Sequence, residues 1–294
     1  MVDLSVIIVN YNTKKLTLQC LTSVFEQNGL SYEVFVVDNA SSDGSAEVIK
    51  ENFSQVKLIV NNKNLGFAAA NNQAIKSCEG RFILLLNSDT VVSPGTFKTM
   101  VKFMHCHPEA GIASCKVIKP NGTLDWPCKR SFQTPSIFFY RAFRLDELFP
   151  KSKQFGRYHL TYLDENRTYE VDAVCGAFLM IRKQTIEDIG LMDEELFMYS
   201  DDMDWCFRAK KAGWKVYYYP QAQILHFKSK SNVQRSYKSI YWWYYSTWYV
   251  YKKHMARNYN FIINFCVYAG FCFTFSASLI LNFLRKSKSL PSRK

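Results

Sequence analysis

"RFILLLNSDTVV", Arg81 to Val92, decides how the chain is read. Five apolar residues, Phe82 to Leu86, run without alternation, as in a strand buried on both faces of a parallel sheet. The run stops abruptly at Asn87-Ser88-Asp89-Thr90. Asn, Ser and Asp all favour turns, so a plain turn accounts for the stop. Ligands of open α/β sheets, however, bind beyond the carboxyl ends of strands, which is where Asp89 falls. The flanking segments have to decide between these readings.

Upstream the same pattern occurs three times. "LSVIIVNYN" (Leu4–Asn12) reads as a strand, with Thr13 as cap of a helix through about Gln27. "YEVFVVDNASSDGS" is a strand ending at Asp38, then a polar turn and a helix from about Ser45. "VKLIVNNKNLGFAAANNQAI" gives a third strand, a loop, and a helix entered near Gly66. The strand in Arg81–Val92 is fourth, followed by a helix from about Pro94. This βαβα rhythm predicts an α/β fold with a doubly wound, mostly parallel sheet and right-handed crossovers. Residues Gly111 to Leu160 are less regular. Beyond them, "VDAVCGAFLMIRKQTIEDIG" predicts a strand and a short helix, and "DDMDWCFRAKKAGWKVYYYP" a helix, a stop at Gly213 and a strand. This second half is expected to build an acceptor side onto a nucleotide-binding half.

Four strand ends carry polar groups: Asn10-Tyr11-Asn12, Asp38-Asn39, Asn61-Asn62 with Asn64-Leu65-Gly66, and Asn87-Ser88-Asp89. One such end is ordinary. Four in succession suit a nucleotide lying across the crevice, where a carboxylate bonds base or ribose and a Tyr stacks on a base. The turn after the first strand, "NYNTKKL", is no GxGxxG, and the chain has no GxxxxGK[ST] loop, which argues against dinucleotide binding and P-loop hydrolysis. A second cluster, Asp201-Asp202 with Asp204, precedes a helix. Acidic residues suit a helix N-terminus, but three in four positions exceed what one cap needs. Arg208, one turn on, is a candidate ion-pair partner for Asp204.

Of 294 residues, 48% are hydrophobic and 16% aromatic, which excludes a disordered chain. The net charge of +12 is uneven, because no acidic residue follows Asp204 while Lys and Arg continue to the last position. That favours an anionic partner, a membrane surface rather than nucleic acid, whose recognised modules are absent. The nine cysteines show no paired or zinc-like spacing. With no signal peptide evident, they predict a reducing, cytoplasmic setting. Phe261 to Leu284 is uncharged over 24 residues, flanked by "YWWYYSTWYVYKKHMARNYN" and "RKSKSLPSRK". Length, aromatics and flanking cations predict a transmembrane or interfacial helix rather than a buried C-terminal one.

Together "SVIIVNYNT", "VVDNASSDGS", "NLGFAAANNQAI", "LLLNSDT" and the segment from "CGAF" to "ILHF" resemble the family 2 glycosyltransferases, and within them the rhamnosyltransferase-like branch of bacterial polysaccharide synthesis. The resemblance covers about residues 4 to 230. It implies a GT-A fold, a divalent metal (Mg²⁺ or Mn²⁺), a nucleotide-diphospho-sugar donor such as dTDP-rhamnose, and inversion at the anomeric carbon. It makes Asp38 a ligand of base or ribose, lets Val9 and Tyr11 line the base pocket, and brings Asn64 and Gly66 to the nucleotide. Asn87-Ser88-Asp89 stands in place of the DXD motif. Asn87 replaces its first acid, so Asp89 alone offers a carboxylate to the metal, with Ser88 between them at the donor. His226 matches a histidine completing the metal and diphosphate site, with Lys228 and Lys230 beside it. The "ED" motif falls on Asp201-Asp202, with Asp202 as general base. Gly176 in "CGAF" lies at the acceptor-side loop, and Asp201 and Asp204 support or bind the acceptor.

The expected organisation is a glycosyltransferase domain over 1–230, with halves at 1–110 and 111–230. An aromatic-basic membrane-proximal segment (231–260), a membrane helix (261–284) and a basic tail (285–294) follow. The expected function is transfer of a sugar to a lipid-linked or surface-glycan precursor at the cytoplasmic face of the inner or plasma membrane. A catalytically silent glycan- or nucleotide-binding module and a nucleotidyltransferase are the rivals.

Overall fold

A computed structural model describes residues 2–228 and 236–289, with side chains to residue 284. Lys230 and residues 290–294 of the basic tail lie outside the described residues. The first half runs β1 (Leu4–Asn10), α1 (Lys14–Phe25), β2 (Tyr32–Asp38), α2 (Ser45–Asn52), β3 (Lys57–Val60), α3 (Phe67–Ile75) and β4 (Phe82–Asn87). β1, β2 and β4 are apolar and buried along most of their length, as strands covered on both faces must be. They pair in parallel, in the order β3-β2-β1-β4.

The second half mixes directions. It comprises β5 (Thr90–Val92), α4 (Thr96–Cys106), β6 (Ala110–Ile118), α5 (Pro135–Ala142), α6 (Leu145–Leu148), β7 (Tyr169–Val171), β8 (Phe178–Arg182), α7 (Lys183–Ile189), α8 (Asp201–Lys211) and β9 (Lys215–His226). The sheet continues from β4 through β8, β6, β9 and β5, with β7 also on β9. β8 runs antiparallel to both β4 and β6, whereas β6 and β9 are parallel.

β4 ends where its apolar run does, and the chain turns at Asn87, where the Thr90 hydroxyl donates to the Asn87 carbonyl (2.7 Å). Thr90–Val92 then pairs antiparallel with β9, with Thr90 opposite His226. Thr13 precedes α1 but does not cap it with its side chain, which bonds Asn10 Oδ1 instead (2.7 Å). Asp43 Oδ2 accepts from the Lys14 N–H in its place (3.0 Å).

Two helices close the chain, α9 (Tyr237–His254) and α10 (Phe261–Ser289). The stretch expected to be membrane-proximal is, over α9, seated on the second half. The Ser246 hydroxyl donates to the Met198 carbonyl (2.7 Å), Tyr249 OH to Asp193 (3.0 Å), and His254 Nε2 pairs with Asp204 (2.7 Å). α10 packs on α9 through Tyr251 OH to Asn264 (2.6 Å) and on α5 through Phe271 against Phe138 (4.6 Å between ring centroids). Within its Phe261–Leu284 stretch, 18 consecutive residues have mean hydropathy 1.7 and only 17% of them are buried, so by length and composition it can cross a membrane. At 1.5 Å per residue it is roughly 36 Å long, more than a bilayer core of about 30 Å.

Candidate active site

The parallel register sets the first edge of the site. Asn10 lies opposite Asp38, Asp38 opposite Val60, and Val9 opposite Asn87, so three polar strand ends finish level. Asp38 is buried (1% exposed) and both its oxygens are engaged. Oδ1 accepts from Asn10 Nδ2 (2.6 Å) and Oδ2 from the Ser41 N–H (2.9 Å). Asn10 Oδ1 in turn accepts from the hydroxyls of Thr13 and Thr17 (both 2.7 Å), and Thr13 also meets Ser88 (3.0 Å). Beside them Val9 is half-buried and Tyr11 is 49% exposed, leaving its ring open to solvent at this edge.

Asn64 and Gly66 belong to an asparagine lattice. Asn64 Oδ1 accepts from Asn39 Nδ2 and from the Gly66 N–H (both 2.9 Å), and Asn39 Oδ1 accepts from the Leu65 N–H (3.0 Å). Gly66 is required by protein contact. Its φ is +85°, and a Cβ there would lie 2.5 Å from the Phe197 carbonyl oxygen.

Asp89 meets His226 because β5 lies against β9. Asp89 Oδ1 is 3.2 Å from His226 Nε2, and His226 Nδ1 is 3.1 Å from Asp125 Oδ2. Lys228 Nζ pairs with the other Asp125 oxygen (2.6 Å). Burial lowers the affinity of His226 for a proton, but hydrogen bonds to Asp125 and Asp89 outweigh it and raise the pKa to about 9. Burial likewise opposes charge on Asp125, yet His226 and Lys228 hold it below the usual carboxylate range.

These donors fit a hard divalent cation. Two adjacent ligands, each roughly 2.0–2.1 Å from one small ion, stand about 3 Å apart, close to the Asp89–His226 separation. Asp125 holds Nδ1, as a carboxylate behind a metal-binding histidine does, so Nε2 is the atom turned toward Asp89. Among the described residues no cluster of three or more acidic, His or Cys side chains is arranged to hold an ion unaided. The remaining positions would fall to water and substrate oxygens, and an ion arriving there would displace the Nε2 proton.

The second edge is the start of α8. Tyr199 and Ser200 have positive φ (70° and 59°), a costly conformation that throws the chain sharply into the helix. Asp202 Oδ2 pairs with Arg130 Nη2 (2.7 Å) and accepts from the Gly176 N–H (3.0 Å). Asp202 Oδ1 is buried without a hydrogen-bond partner. Burial first, and then the neighbouring Asp202 charge, push Asp201 well above the usual carboxylate range. Asp204 faces elsewhere, paired with Arg208 Nε (2.8 Å), Lys253 Nζ (2.7 Å) and His254 (2.7 Å). Burial opposes its charge, but those partners bring its pKa down to about 2.

A cavity of about 400 Å³ lies at the second edge and reaches the first only at Asn87 and His226, with Asp125, Arg130, Asp201 and Asp202 also in its lining. Gly176 also borders it, and Asp204 does not. Asp125, Arg130 and His159, which lies in the same wall, escape sequence reasoning. They sit in the irregular stretch after β6, where no periodicity or motif marks them.

Residues 5–190 match the family described as Glycosyl transferase family 2. The chain is 26% identical over 240 residues to the N-acetylglucosaminyl-diphospho-decaprenol L-rhamnosyltransferase of Mycobacterium tuberculosis, covering 78% of this chain and 77% of that one. It is 32% identical over 101 residues to the UDP-Glc:alpha-D-GlcNAc-diphosphoundecaprenol beta-1,3-glucosyltransferase of Escherichia coli, 34% of this chain and 40% of that protein. The fold matches a mannosyltransferase from Pyrobaculum calidifontis, solved in complex with GDP-Man and Mn²⁺, at a TM-score of 0.57 and 20% identity. That match covers 78% of this chain and 58% of the mannosyltransferase.

Proposed function

The chain belongs to glycosyl transferase family 2, and on that premise we propose that it is an inverting, metal-dependent enzyme that glycosylates a lipid-linked saccharide at the membrane. The donor is a nucleotide diphosphate sugar, and similarity to the mycobacterial rhamnosyltransferase makes dTDP-rhamnose the first candidate. The observation carrying this reading is Asp202: one oxygen is anchored by Arg130 and the Gly176 N–H, and the other is unpartnered in a cavity that His226 also lines.

An alcohol proton is held too tightly to leave unaided at neutral pH, so attack on the sugar needs a base within hydrogen-bond reach. Asp202 Oδ1 accepts that proton from the acceptor hydroxyl. Arg130 and Gly176 fix the carboxylate, so its basic atom keeps one direction. One base suffices for a single displacement with inversion, unlike the acid and nucleophile pair of retaining glycosidases. Asp89 and His226 would hold the divalent cation, which when bound offsets the charge gained by the departing diphosphate. Tyr11 stacks on the exposed side of the base. Asp38, through Asn10 and Ser41, fixes the loops on which the nucleoside rests.

The proposed enzyme acts at the bilayer, which the length and apolar composition of α10 support, with its catalytic half on the cytoplasmic side where nucleotide sugars are made. A panel of nucleotide sugars, incubated with the full chain in lipid nanodiscs with Mn²⁺, Mg²⁺ or chelator, tests the reading. It predicts metal-dependent release of nucleoside diphosphate from one donor class, fastest with dTDP-rhamnose. Release insensitive to chelator, or from no donor, overturns it.

A further inference from the structure

The catalytic carboxylate shares its cavity with the candidate membrane helix. Among the described residues four buried side-chain polar atoms lack a hydrogen-bond partner, and three of them line this one cavity: Asp202 Oδ1, Arg130 Nε and His159 Nδ1. Orphaned polar atoms are costly to bury, so three in one cavity mark a place where a polar ligand supplies the missing bonds. Burial above all, helped by Arg141 and Arg130, lowers His159 to a pKa of about 3, so a neutral imidazole faces that ligand. A saccharide hydroxyl both donates and accepts, as this set requires.

The lining changes character with the element supplying it. Met255, just past α9, and Val267 and Phe271 of α10 are apolar, and with Tyr251 they form a small cluster apart from the main core. Opposite Phe271 stands Phe138 of α5. α10 thus has two apolar faces: one lines the cavity, and the other, with Phe265 and Phe273, is exposed. A pocket for a free sugar has no use for a wall taken from a membrane helix. Arg141 and Lys228, also in the lining, suit the anionic linkage between a saccharide and its lipid.

Building on the acceptor reading above, we infer that this cavity is a site for an amphiphile. It holds the acceptor saccharide against His159, Arg130 and Asp202, and receives the first carbons of the acceptor's lipid chain between α5 and the α9–α10 pair. The chain therefore threads into the protein from the bilayer, which limits the acceptor to lipid-linked saccharides.

Photolabelling tests this in the full chain, held in lipid nanodiscs. The probe is a prenyl diphosphate bearing a diazirine in its chain, and the control is phosphatidylcholine with a diazirine in an acyl chain. Saturable prenyl labelling is expected at Met255 and Val267, competed by unlabelled farnesyl diphosphate. Val267→Trp should reduce labelling at Met255 by roughly 10-fold or more by filling the wall, and Thr247→Phe, on α9 in the same lining, provides a second block if that variant misfolds. Labelling confined to the outward face, at Phe265 and Phe273, overturns the inference. So does equal labelling of Met255 and Val267 by phosphatidylcholine, which would mean that bulk lipid fills the cavity. Donor hydrolysis, assayed in the same nanodiscs, separates the outcomes: its absence counts against the enzymatic reading, whereas hydrolysis with the wrong labelling pattern counts only against the lipid site.

Discussion

Asp38 and Asp202 are both buried carboxylates at the ends of structural elements, yet they are treated differently. Asp38 closes a parallel strand, and each of its oxygens is bonded within the protein. Asp202 opens a helix after two residues of positive φ, and one of its oxygens is bonded to nothing. The contrast extends to their surroundings. The donor edge is a lattice of Asn, Ser and Thr side chains that satisfy one another, whereas the acceptor cavity keeps three orphaned polar atoms. A satisfied network fixes shape, and an unsatisfied one leaves bonds for a ligand.

α8 repeats the contrast within one turn. Asp204 is held by Arg208, Lys253 and His254, so Asp204→Asn should act on stability rather than chemistry. Removing one member of a buried charge cluster costs about 3–5 kcal/mol, readable as an earlier denaturant midpoint at unchanged slope. If Asp204→Asn instead folds as well as wild type and loses transfer, the division between satisfied and orphaned carboxylates fails.

The same cluster predicts an acid limb. The folded pKa of Asp204, about 2, lies below its unfolded value near 3.8, so its contribution is complete above about pH 4 and is lost as pH falls toward 2. Acid titration of wild type beside Asp204→Asn should show a steeper loss of stability for wild type between pH 4 and 2. Parallel curves would mean that the cluster does not hold the carboxylate.

Smaller effects are expected at the donor edge. Asp89→Ala should weaken nucleoside diphosphate binding by roughly 10–100-fold with Mn²⁺ present, and hardly at all with chelator. Asp38→Ala should weaken it less, by about 1–2 kcal/mol, with or without metal, because it loosens the Asn10 and Ser41 loops. Titration calorimetry under both conditions decides, and equal metal dependence of the two changes would erase the distinction between the two carboxylates.

The donor edge was legible in sequence because its signals are local. Unbroken apolar runs in β1, β2 and β4 announce buried parallel strands, and polar residues at their ends fall at one level by register. The acceptor cavity was not. Asp125, Arg130 and His159 come from a stretch without period, and they meet Asp202 and His226 only because β6 pairs with β9 and a loop folds back over both. That proximity is a property of long-range topology. Thr90–Val92 teaches the same lesson: nothing local in its sequence points to its partner, β9, more than a hundred residues away.

Asp202 is where these arguments meet, and single-turnover transfer with saturating donor tests it most directly. Asp202→Asn keeps the shape, and its amide oxygen can still accept from Arg130 and the Gly176 N–H, while the basic atom and the charge facing Arg130 are removed. The account predicts a fall in transfer of about 10²-fold or more, the scale of general-base catalysis, with nucleotide affinity nearly unchanged and Asp201→Asn milder. Near wild-type transfer by Asp202→Asn, with Asp201→Asn inactive, would contradict it and place the base one residue earlier.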